Sequence, residues 1–156
     1  TFWDSPWLSD RGCFNKAYLL FFVGRSWCSQ AQDALRDLVI FYRSHASSLN
    51  FEIIYVGGGE DKETHKAFVE RMPWLALDLD AAESNPVCMP LLAHILTNQI
   101  RGLYGDQNAS CLVVVDVKTK QIVTRQGLLR LIEDPDAIEF PWELPTTESL
   151  VFGGDL

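Results

Sequence analysis

A seven-residue apolar run, Ala17 to Val23, is closed by Gly24, and beyond it the sequence changes period. From Ser29 to about His45, Ala31, Ala34, Leu35, Leu38, Phe41 and Tyr42 recur at three- and four-residue steps, while Gln32, Asp33, Arg36, Asp37 and Arg43 fill the other positions. That spacing gathers the apolar set on one side of a helix. A second apolar run, Phe51 to Val56, follows and stops at Gly57-Gly58-Gly59. Strands apolar at every position are buried on both faces, as in a sheet covered by helices. Strand, amphipathic helix and strand in this order predict a right-handed parallel βαβ unit, with helix N-termini gathered at one edge of the sheet.

Downstream, Lys62 to Arg71 reads as a shorter helix with Ala67, Phe68 and Met72 facing inward, ended by Pro73. Leu75 to Leu79 is a brief extended piece, Asp80 to Pro90 is loop-like, and Pro90 suits the first turn of a helix running to about Leu103. Leu112–Val115 and Gln121–Arg125 form a hairpin about a turn at Val117–Lys120, and a short helix follows Gly127. A βαβ half joined to a ββα half predicts an α/β fold: a central mixed β-sheet flanked by helices on both faces. Residues 1–142 are expected to form one domain with an insertion at about 80–90, and 143–156 an acidic flexible tail. Thr1 in place of Met reads as a chain trimmed or cut from something longer.

Several classes of function are disfavoured by composition. At 156 residues and 47% hydrophobic, the chain is long enough for a core that needs no metal or disulfide staple. A formal charge of −8 argues against a nucleic-acid partner, and the lack of any Lys/Arg cluster argues against a membrane surface. No apolar run approaches the roughly 20 residues of a membrane span, and Ala17–Val23 lacks the flanks of a signal peptide. His45, His65 and His94 are dispersed, so no metal site is expected, and no cofactor is implied. Gly57-Gly58-Gly59 lacks the frame of a phosphate-binding loop. The four cysteines, Cys13, Cys28, Cys88 and Cys111, are scattered, which reads as free thiols in a reducing compartment.

The chemistry concentrates at Trp27-Cys28, the junction of the first strand and the first long helix. A thiolate at a helix N-terminus is stabilised by the helix dipole and free N–H groups, and Arg25 adds positive potential. A cysteine standing there only as a small turn residue is the alternative. Pro73, Trp74 and the other tryptophans read as packing.

Over most of Ala17 to Trp142 the chain resembles the tryparedoxin/nucleoredoxin branch of the thioredoxin superfamily. Four pieces carry the resemblance: Phe22-Val23-Gly24-Arg25-Ser26-Trp27-Cys28 ahead of the long helix; the strand Phe51–Val56; Met72-Pro73-Trp74-Leu75-Ala76; and the closing Thr124-Arg125-Gln126-Gly127, Glu133-Asp134-Pro135 and Phe140-Pro141-Trp142. The resemblance implies a thioredoxin fold, thiol–disulfide exchange on protein clients with a thiol reductant, and a cytosolic or nuclear setting.

Three departures bear on that activity. Where the family's helix opens C-P-P-C, this one opens Cys28-Ser29-Gln30-Ala31, so Ala31 replaces the resolving thiol that would release a mixed disulfide. Ser110 stands where the family has its cis-proline, and a cis bond before a non-proline residue costs about 2.5–4 kcal/mol, so that peptide is expected trans. Phe22, six residues before Cys28, occupies the place of a buried proton-accepting carboxylate. Cys111 is a candidate second thiol for a Cys28–Cys111 bond, with a free, buried Cys111 as the alternative. Cys88 lies in the 80–90 insertion, read either as a reactive loop thiol or as part of an inert surface insertion.

Three functions stay open on these residues. One is a redox protein whose exchange is monothiol and weak, an oxidoreductase if it is active at all. Another is a catalytically silent thioredoxin-fold protein-binding module, and the last is one domain of a larger protein.

Overall fold

The computed structural model describes residues 6–23, 29–57, 61–78 and 111–142. Five strands and four α-helices are found among them: α1 (Pro6–Asp10), β1 (Tyr18–Val23), α2 (Ser29–Leu49), β2 (Phe51–Gly57), α3 (Lys62–Val69), β3 (Leu75–Asp78), β4 (Cys111–Asp116), β5 (Gln121–Thr124) and α4 (Gly127–Glu133). A 3-10 turn at Cys13–Asn15 follows α1. The insertion at 80–90, the helix expected from Pro90 and the tail 143–156 lie outside the described residues.

The sheet order is β3-β2-β1-β4-β5. β1 pairs in parallel with β2 and antiparallel with β4, β2 pairs in parallel with β3, and β4 pairs antiparallel with β5. The mixed sheet of the α/β expectation is therefore present. Leu19, Leu20, Phe21 and Phe22 of the central strand are all fully buried, each worth about 1.5–3 kcal/mol relative to exposure. Because successive side chains alternate, the strand feeds two cores. Leu20, Phe22, Ile53, Tyr55, Leu112 and Val114 meet Ala31, Leu35, Leu38 and Phe41 of α2, Phe68 of α3 and Leu131 of α4. Leu19, Phe21, Ile54, Val56, Leu77, Cys111, Val113 and Val115 form the other core with Leu8, Cys13 and the partly buried Phe14.

Several boundaries differ from the sequence expectation. α2 runs on to Leu49, one turn past His45, because Ala46 and Leu49 continue its apolar stripe against the core. His45 therefore does not end the helix; its Nε2 lies 3.1 Å from the carbonyl oxygen of Pro135. α3 ends at Val69, before Pro73 is reached, and its exit is a tight turn in which the amides of Arg71 and Met72 donate to the carbonyls of Phe68 and Val69. Ala67 is exposed rather than inward, because Phe68, Val69, Met72 and Trp74 fill the core on that side; Pro73 is exposed as well. α1 was not expected, since five residues carry no measurable helical period.

The branch-specific motifs are packing devices. Thr124 Oγ1 accepts from the Gln126 amide at 3.1 Å, turning the chain out of β5 into α4. Gly127 then passes so close to β4 that a Cβ would stand 2.7 Å from the Leu112 carbonyl oxygen. Asp134 accepts from the Ile138 and Glu139 amides and from Trp142 Nε1 at 3.0, 2.9 and 3.0 Å. This closes a loop that lays Phe140 and Trp142 against Phe41, with ring centroids 6.2 and 5.6 Å away; its Phe140–Pro141 peptide is cis. Trp74 of the Met72–Ala76 segment is buried edge-on against Tyr42, 5.4 Å between centroids, so these aromatic motifs fasten β3 and the closing loop to α2.

Two outcomes follow. Gly127→Ala is expected to destabilise the protein by about 1–3 kcal/mol, since the obstructing atom is backbone; urea unfolding measures it, and an unchanged midpoint contradicts the close approach. Partial burial raises the Asp134 carboxyl, but the hydrogen bonds from Glu139, Trp142 and Ile138 outweigh it and the pKa is lowered. Its contribution to stability is thus complete above the ordinary Asp pKa of about 4 and fades as pH falls through the lowered value. In acid titrations of stability, Asp134→Asn should flatten that part of the profile relative to the parent.

Candidate functional site

Three described elements flank the residues of the expected thiol site along the chain. β1 ends at Val23, β4 begins at Cys111, and these two residues are register partners. A five-residue link, 24–28, joins Val23 to Ser29, the first residue of α2. Cys28 is thus bonded directly to the helix start, and Ser110 directly to the strand start. Arg25, Trp27, Cys28 and Ser110 lie outside the described residues, as does Cys88.

Around that junction the described side chains are apolar. Ala31, in the first turn of α2, is fully buried in the core that holds Phe22, Leu35 and Tyr55. The chain therefore offers a methyl group at the position one turn into the helix. Phe22 is equally buried, and the register sets it beside Tyr55, 5.7 Å between ring centroids. Tyr55 in turn meets His65 and Phe68 of α3, at 5.9 and 5.4 Å. The rings of Phe22, Tyr55 and Phe68 thus share one core with Ala31 of the first turn of α2, and Phe22 has no proton-accepting atom. Sequence reasoning missed the part played by Tyr55, because only strand register brings it against Phe22. Gly57, the last residue of β2, allows that ring its place, since a Cβ there would lie 2.5 Å from the Tyr55 hydroxyl.

Cys111 is a free thiol, 3% exposed. Strand alternation puts it in the core with Val113, Val115 and Leu8, on the sheet face opposite Ala31 and α2. Burial pushes its pKa up to about 12. Cys13 is also free and fully buried; burial, with a smaller contribution from Glu52, raises it to about 11. Both thiols belong to the same core, and neither is ionised near neutrality. No group of three or more His, Cys, Asp and Glu side chains able to hold a metal occurs among the described residues, and no described helix is long and apolar enough to cross a membrane.

A family model described as thioredoxin-like matches residues 15–122. The chain belongs to the thioredoxin-like family. Within it, the relatives place the chain in the tryparedoxin/nucleoredoxin branch. It is 28% identical over 127 residues to tryparedoxin of Trypanosoma brucei brucei, covering 81% of this chain and 79% of that protein. It is 32% identical over 117 residues to human nucleoredoxin, covering 74% of this chain but only 24% of that protein. Among solved structures, tryparedoxin II complexed with glutathionylspermidine superposes with a TM-score of 0.65 at 27% identity, covering 83% of this chain and 81% of that one. The protein is thus a redox-related, tryparedoxin- and nucleoredoxin-like member of the fold.

The burial of the two described thiols is directly measurable. Native protein treated with iodoacetamide near neutral pH should leave the peptides containing Cys13 and Cys111 unlabelled, and denaturant should expose both. Rapid native labelling of Cys111 would contradict its place in the core.

Proposed function

We propose that the chain is a monothiol thiol–disulfide exchange protein in which Cys28 is the sole attacking sulfur, positioned by Trp27 and favoured as a thiolate by the start of α2 and by Arg25. Ala31 carries this reading: it is buried in the first turn of a continuous helix, where a second thiol would have to stand.

In the first step the Cys28 thiolate attacks a client disulfide. One client S–S bond breaks, a Cys28–client disulfide forms, and the departing sulfur leaves as a thiolate that takes a proton from water. With no thiol at 31, an outside thiol attacks Cys28 Sγ and releases the reduced client. A second outside thiol then frees Cys28, so two thiols become one disulfide and supply both electrons. The partners are therefore protein clients and a low-molecular-weight thiol, the class to which the ligand of the related tryparedoxin II belongs. Kinship with nucleoredoxin supports a cytosolic or nuclear setting.

A second reading, a binding module without turnover, draws on Phe22: fully buried and apolar, it leaves the site without a proton acceptor at that position. Ser110 in place of the family's proline points the same way.

An insulin-reduction assay driven by an outside thiol tests the proposal. The parent chain should turn over slowly, Cys28→Ser not at all, and Ala31→Cys about tenfold or more faster than the parent, because release becomes intramolecular. Parent turnover equal to that of Ala31→Cys would overturn the monothiol reading. Partner binding retained in full by Cys28→Ser, with no mixed disulfide from the parent, would favour the binding module. A Cys28 titration completes the test, since a pKa near the free-thiol value of about 8.5 removes the argument for an activated sulfur.

A further inference from the structure

We draw no further inference here: the strongest candidate, the surface patch of exposed apolar side chains made by Leu129 and Ile132 of α4 and Ile138 of the closing loop, carries nothing because no feature of the structure shows what covers it.

Discussion

The central strand sets the terms for the rest of the molecule. With both edges of β1 hydrogen-bonded and four consecutive side chains fully buried, the sheet must be covered on each face. A strand exposed on one face would leave two of those residues in water, at a cost of several kcal/mol. α2 meets that demand on one side with the apolar stripe of a 21-residue helix, and Leu8, Cys13 and Phe14 contribute on the other. The end of β1 and the body of α2, which flank residues 24–28 in the chain, are held in place by this packing.

The motifs that mark the family do little chemistry in this protein. Thr124, Gly127, Asp134, Phe140, Trp142 and Trp74 turn the chain, close a loop or pack rings on α2. Scaffold motifs act through close packing, where a change of one methyl group is felt. Ala31 and Phe22, by contrast, fit the same core as apolar side chains, so losing a thiol or a carboxylate there leaves no buried polar group without a partner. Apolar side chains at these two positions therefore leave the fold intact.

Legibility followed the same division. The strands Ala17–Val23 and Phe51–Val56 could be read because burial on both faces imposes a continuous apolar run, and α2 because its stripe is long. Boundaries failed where tertiary contact sets them: α2 gained a turn because Ala46 and Leu49 find core to cover, and α3 closed early in a tight turn. Ala67 was misplaced because helical spacing alone cannot say which of two adjacent residues a core has room for. α1 is too short to show a period. The place of Ala31 in the first turn of α2 was legible from local spacing, whereas the contact of Tyr55 with Phe22 depends on register between two strands.

By itself the sequence determined the sheet-and-helix order, the family, and the absence of a thiol three residues beyond Cys28, since each is written in local composition and spacing. Tertiary structure alone decided that Cys111 faces away from α2 and that Tyr55 packs against Phe22. Those outcomes turn on strand register and helix rotation, which are fixed by contacts between segments distant along the chain. A one-residue slip in register would send every side chain of a strand to the opposite face, and no local pattern records which register the completed core selects.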